Sequence, residues 1–117
     1  YTLAPRATIE GIVGKCRRAL AWLADRAPAL GVDAGRIVVA GSSAGAHLAA
    51  MSVAGGTPVA GAVLVSGIYD LRPLVGTYVN DALGLDEVRA AAASPIAIDW
   101  RGAPPAVVAW GEVETGE

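Results

Sequence analysis

The sequence predicts an α/β fold, a parallel sheet with helices packed on both faces. Three observations carry that reading. Apolar residues recur at helical spacing near the N-terminus. Three short apolar runs, at 37–40, 62–66 and 106–110, follow it, and helical or irregular segments separate those runs. Helix, strand, helix, strand, helix, strand is the alternation of parallel strands joined by crossovers. With about three strands the sheet is incomplete, and 117 residues make at most one domain.

Ile9, Ile12, Val13, Cys16, Leu20, Leu23 and Ala24 form one stripe, with Lys15, Arg17, Arg18 and Asp25 mostly turned away. That pattern predicts a helix over 8–27, ended by Pro28 and Gly31. Ile37-Val38-Val39-Ala40 is a β-branched run that reads as a buried parallel strand. From Ala44 to Val53 the chain is small and apolar on nearly every face, as in a helix packed inside a domain. Ala62-Val63-Leu64-Val65-Ser66 is the second strand, and the stretch after it, with Asp70, Pro73 and Gly76, reads as irregular. A short helix is expected over 86–93, stopped at Ser94-Pro95. Ala106-Val107-Val108-Ala109-Trp110, entered through Pro104-Pro105, is the third strand.

Composition excludes several classes. Hydrophobic residues make up 54% of the chain and charged ones 17%, which argues for a buried core and against disorder. The net charge is -2, and Arg17-Arg18 is the only basic cluster, so nucleic acid is not an expected partner. A single cysteine cannot close an internal disulfide, and with one histidine it provides no metal-ligand set. Cys16, on the apolar stripe, reads as a small buried hydrophobe rather than a reactive thiol. No formal charge lies between Arg36 and Asp70, a reason to consider a membrane span. Breaks at Gly41-Ser42-Ser43 and Gly55-Gly56-Thr57-Pro58 divide the stretch into pieces too short to cross. A soluble core, no membrane partner and a cytoplasmic location are therefore expected. The N-terminus has neither a basic start followed by an apolar run nor a starting Met. It is not read as a signal peptide, and the chain is expected to begin partway through a longer protein.

Gly41-Ser42-Ser43-Ala44-Gly45 fits G-x-S-x-G directly after a strand and directly before a helix. That setting is the nucleophile elbow of an α/β-hydrolase, with Ser43 projected from a strained turn. Residues two positions away must be small to avoid nearby backbone, and Gly41 and Gly45 meet that demand. The backbone N–H of Ala44, at the helix N-terminus, can donate to an oxyanion formed by attack of Ser43. A Gly-rich strand-to-helix turn can instead cradle phosphates. Here the spacing is wrong for G-x-G-x-x-G, no P-loop Lys follows, and Asp70 comes well after the second strand. A hydrolase fold that survives as a catalytically silent binding module is the other alternative.

His47 is the only histidine, but it lies four residues past Ser43, inside the helix. In this fold the base comes later, after the acid. Hydrogen bonding and packing beneath the elbow is the role expected of it. Gly111-Glu112-Val113-Glu114 follows the third strand, where loops of open α/β sheets carry function. Glu114 is the candidate acid for orienting a base, against the alternative that Glu112, Glu114 and Glu117 form a solvated acidic loop.

With the elbow placed, the chain resembles the kynurenine formamidase (arylformamidase) branch of the α/β-hydrolases, near the esterases related to hormone-sensitive lipase. The matching stretches run from Gly41 to Met51, Val65 to Leu74 and Asn80 to Leu85, with Ser94-Pro95 and Gly111-Glu112-Val113-Glu114. The resemblance implies Ser43 as nucleophile and Glu114 as triad acid. It departs at Ser42, where members often have His. The family's His-Gly-Gly oxyanion loop falls before Tyr1 and its catalytic His after Glu117, so residues 1–117 are expected to be the central part of one hydrolase domain. The implied activity is hydrolysis of N-formylkynurenine to kynurenine and formate, with a carboxylesterase acting on small acyl esters as the alternative. The implied partner is a small aryl formamide or ester, with no metal or cofactor, and a homo-oligomer is possible on the exposed sheet edges. The chain alone is expected to be a poor hydrolase.

Overall fold

The computed structural model describes residues 1–113. Helix α1 (Ile9–Arg26) starts at Thr8, whose Oγ1 accepts the Gly11 N–H at 3.2 Å. That bond satisfies one of the amides that a helix start leaves without a partner. The chain then passes through single 3₁₀ turns into β1 (Val38–Ser42), α2 (Ala44–Val53) and β2 (Gly61–Val65). A one-turn helix α3 (Asn80–Leu83), a short α4 (Glu87–Ala92) and β3 (Ala106–Ala109) complete it. The three strands are parallel in the order β1-β2-β3. Three parallel strands in one sheet with helices is the expected class, but the expected cover on both faces is corrected among the described residues: α2 packs on one face and the valines of the other are exposed.

Strand register decides which residues share a face. Val39, Ala62 and Ala106 lie side by side, as do Gly41, Leu64 and Val108. Alternation along a strand puts all six on one face. Helix α2 lies there, with Ala46, Ala49, Ala50 and Val53 packed on Ala62 and Leu64 as the main core. Small side chains on α2 let it approach the sheet closely. The other face carries Val38, Val63, Val65 and Val107, all exposed. Helix α1 packs on α2. There Arg17 donates to the Met51 carbonyl from Nη2 at 2.6 Å and Nε at 3.2 Å. A cation on a carbonyl in the last turn of α2 is favourable for charge as well as hydrogen bonding.

Element ends differ from the sequence reading in ways the backbone explains. β1 runs on to Ser42 because pairing continues through Gly41↔Leu64 and Ser42↔Val65. Ladder bonds come from the main chain and need no β-branched side chain. β2 stops at Val65, since Ser66 turns out of the strand at φ 49°. The stretch read as irregular contains a 3₁₀ helix, Arg72–Gly76, and then α3, closed by Gly84 in the left-handed region. Asn80 holds this segment: its Nδ2 donates to the carbonyls of Val75 and Leu85, and its Oδ1 accepts the Leu85 N–H at 2.8 Å. A second core forms from Leu71, Leu85, Ala90 and Ala93, with Ile9, Ile68 and Leu74 against it. Among the described residues, no helix is long and apolar enough to cross a membrane.

Candidate active site

Ser43 is the one residue between β1 and α2, and its backbone is strained. At φ 53° and ψ -124° it occupies a region that L-residues rarely adopt. Such a conformation costs of order 1–3 kcal/mol and persists only where the surroundings impose it. Here they do: the Ser43 N–H donates to the Val65 carbonyl at 2.9 Å, and the Ser43 carbonyl accepts from Ala46 and His47. The side chain is exposed and makes no capping hydrogen bond, although serine at a helix start usually caps. The turn thus presents at the carboxyl end of the sheet a hydroxyl that caps no amide of α2.

The two elbow glycines have different reasons. A methyl on Gly41 would run into the Gly45 carbonyl and lie 2.8 Å from the Ala46 nitrogen. A methyl on Gly45 would meet nothing within 4 Å among the described residues. The expectation that both must be small therefore holds for Gly41 and is corrected for Gly45. With Ala46 and His47 bonded to the Ser43 carbonyl, the Ala44 N–H stands in the first turn of α2, where amides have no partner within the helix. The positive end of the helix dipole adds to its pull on an anion.

His47 is buried beneath this turn, and its Nε2 donates to the Ala93 carbonyl at 2.8 Å. Burial holds its pKa below the usual imidazole value, with the Ala93 bond opposing. A ring tied to the carbonyl that ends α4 is a strut, as its position in the helix suggested. The segment it braces brings together sequence stretches that looked separate. Ser94 Oγ, fully buried, accepts the Leu71 N–H at 2.8 Å and donates to the Ala90 carbonyl at 2.7 Å. Asp70 grips Arg72 through Nε at 2.9 Å and Nη2 at 2.5 Å. The Arg72 side chain, with its backbone N–H, pulls the Asp70 carboxyl down to about 2. Asp70 is thus spent on shaping the exit from β2.

That exit makes one wall of an apolar cavity of about 250 Å³ that opens beside the elbow. Ala44, His47 and Leu48 line it from α2, Ile9 and Ile12 from α1, and Ile68, Leu71, Leu74, Val79 and Leu83 from the segment after β2. No charged side chain lines it among the described residues. Those from the segment after β2 escaped the sequence reading because an irregular stretch has no periodicity to mark its inward side. Cys16 is half-buried, less enclosed than its place on the stripe suggested, and sits in a groove with Leu20, Val39 and Gly45.

The acid falls less clearly. β3 ends at Ala109 at the same end of the sheet as Ser43, because the strands are parallel. Gly111 and the exposed Glu112 follow, while Glu114 and Glu117 lie outside the described residues. Among the described residues, no group of three His, Cys, Asp or Glu could hold a metal ion.

Known proteins are similar to this chain in sequence and fold. Kynurenine formamidase of Danio rerio is 35% identical over 102 residues, covering 81% of this chain and 33% of its own length. The Salmo salar kynurenine formamidase is 37% identical with the same coverage. The chain therefore spans about a third of the curated relatives it matches. A solved thermophilic carboxylesterase from a metagenomic library superposes at TM-score 0.69, with 33% identity over 91% of this chain and 45% of that one. A proposed thioesterase from Silicibacter sp. tm1040 superposes at 0.80, with 33% identity over 97% of this chain and 44% of that one. Residues 1–115 match the alpha/beta hydrolase fold family, and with a strained serine between a parallel strand and a helix, this chain belongs to that family.

Proposed function

We propose that residues 1–117 are the central part of a single domain in a longer serine hydrolase, one that hydrolyses an aryl formamide such as N-formylkynurenine. The observation that carries this reading is Ser43: a strained, exposed serine whose hydroxyl makes no capping bond at the start of α2. Likeness to two fish kynurenine formamidases supports the substrate class. In the reaction, Ser43 Oγ attacks the formyl carbon as its proton passes to a histidine contributed from outside this chain. The Ala44 N–H stabilises the oxyanion. Collapse expels the aryl amine, which takes up that proton, and leaves a formyl ester on Ser43. Water, deprotonated by the same histidine, then releases formate and restores the serine. Glu114 is the residue we assign to orienting the histidine. No step calls for a metal or cofactor.

A second reading has its own support. The cavity beside Ala44 is lined mostly by apolar side chains, which suits a small acyl ester, and a carboxylesterase is among the structural relatives. Amide and ester pass through the same tetrahedral intermediate, so the elbow does not discriminate between them. The test uses the full-length protein. Ser43→Ala should lower kcat by roughly four orders of magnitude or more, and Ser42→Ala far less. Equal losses overturn the assignment of the nucleophile. A kcat/KM clearly higher for p-nitrophenyl acetate than for N-formylkynurenine moves the protein to the esterase reading.

A further inference from the structure

Three separate elements wall the cavity beside the elbow. Ala44 and, one turn further on, Leu48 line it from α2, Ile12 from α1, and Leu74 and Leu83 from the segment after β2. Leu74 belongs to the 3₁₀ turn and Leu83 to α3, and Asn80 pins the segment that carries them. Its Nδ2 donates to the carbonyls of Val75 at 3.1 Å and Leu85 at 2.9 Å, and its Oδ1 accepts the Leu85 N–H. This wall is therefore built without a ligand, as small-molecule pockets usually are. His47 also lines the cavity, with Nε2 already engaged by the Ala93 carbonyl.

Size and lining select the occupant. An apolar cavity of about 150 Å³ already admits benzene, and this one holds about 250 Å³. No lysine, arginine, aspartate or glutamate lines it among the described residues, so an ionised group placed inside would lose its water and gain no partner. In an aryl formamide the carbonyl carbon bears only hydrogen on its acyl side, and the bulk is the aryl amine. Ala44, whose N–H is assigned to the oxyanion, is itself part of the cavity wall. A carbonyl held there brings the ring, two bonds away, to the cavity. We propose that the cavity seats the aromatic ring of the substrate, that Leu48 and Leu83 set the size of ring admitted, and that charged substituents project out of it. This rests on the reading of the chain as part of a formamidase with Ser43 as nucleophile.

Leu48 and Leu83 are half-buried and come from different elements, so each can be enlarged without touching the main core. The test uses the full-length protein with formanilide, N-formylnaphthylamine and, as a formyl donor without a ring, ethyl formate. Reactivity differs among the three, so each variant is compared with the parent on the same substrate. Leu48→Phe and Leu83→Phe shrink the cavity from two sides. Each should lower kcat/KM for formanilide by roughly 10- to 100-fold, and by at least about tenfold more than for ethyl formate. Leu48→Ala enlarges the cavity and should raise the naphthyl-to-phenyl preference by about tenfold. Equal losses on formanilide and ethyl formate overturn the proposal, and so does a naphthyl preference that stays put. A shifted preference between p-nitrophenyl acetate and hexanoate also overturns it, by seating an acyl chain in the cavity. Binding keeps this apart from the proposed reaction. Formanilide, followed by ligand-observed NMR, should bind Ser43→Ala and bind at least about tenfold more weakly once either Phe is added. Such binding in a protein that hydrolyses no formamide removes the reaction and leaves the ring site. Formamide hydrolysis with binding indifferent to both Phe variants removes the ring site and leaves the reaction.

Discussion

Gly41 and Gly45 face each other across the elbow so closely that a methyl group on the first would collide with the carbonyl of the second. The last turn of β1 and the first turn of α2 are thus in backbone contact. That contact forces Ser43 into its strained φ and ψ, because no wider turn brings the helix back over the strand.

Gly41→Ala should accordingly lower stability by about 1–3 kcal/mol or more, as overpacking against backbone does. It should also reduce activity beyond that, by opening the turn. Gly45→Ala should be neutral or stabilising by up to about 1 kcal/mol, since alanine is the better helix former and nothing among the described residues obstructs it. Urea unfolding of the two variants of the full-length protein checks the asymmetry. Equal destabilisation would mean that the contact does not govern the turn.

His47 gives a pH-dependent prediction. Its folded pKa lies below the unfolded value, with burial as the first cause. Below about pH 6.5 the unfolded chain takes up a proton that the folded ring resists, so stability is present above that pH and lost as pH falls. His47→Gln can still donate to Ala93 and has no such proton. Between pH 7.5 and 5.5 the parent should lose more stability than the variant. Parallel pH dependences in urea melts would assign the effect to other groups.

The loop after β3 tests the acid. In the full-length protein Glu114→Gln should lower turnover strongly, while Glu112→Gln and Glu117→Gln change it little. Losing the partner that orients a catalytic imidazole has cost other hydrolases about 10⁴-fold. Sensitivity at Glu112 instead would shift the assignment by one residue pair.

Residues 1–117 alone should be inactive and self-associating. The one histidine of residues 1–117, His47, is buried and tied to the Ala93 carbonyl, and Val38, Val63, Val65 and Val107 lie exposed on one sheet face. Apolar patches of this kind drive association. A monomer by light scattering, with Ser43 labelled rapidly by a fluorophosphonate, would contradict both halves of the prediction.

Much of the architecture was legible from side chains, because burial writes itself into them. Valine runs marked the strands, and the stripe from Ile9 to Ala24 marked α1 almost to the residue. Gly41 was legible because a tight strand-to-helix turn has one steric solution. His47 was placed as a strut by its helical offset from Ser43, and its bond to Ala93 is of that kind. What escaped was held by backbone or by contacts far apart in sequence. The Leu71 amide meets Ser94 Oγ across 23 residues, which no local pattern encodes. The left-handed turn at Ser66 was equally silent, since Ser-Gly after a strand announces a bend and not its dihedral angles. At Gly45 the motif position does not coincide with a steric need among the described residues.

The strand order also acts as a caliper. Ser43 leaves β1 and the acidic loop leaves β3, with β2 alone between them. Adjacent strands stand about 4.8 Å apart, so the two departure points are separated by about 10 Å. An imidazole with one hydrogen bond of about 2.8 Å on either side nearly fills that gap. In the proposed reaction, a base joining a nucleophile at the first point to an acid near the second would hang over the end of β2. Counting strands, rather than loop length, fixes the separation, so the connections between strands can grow or shrink without disturbing it.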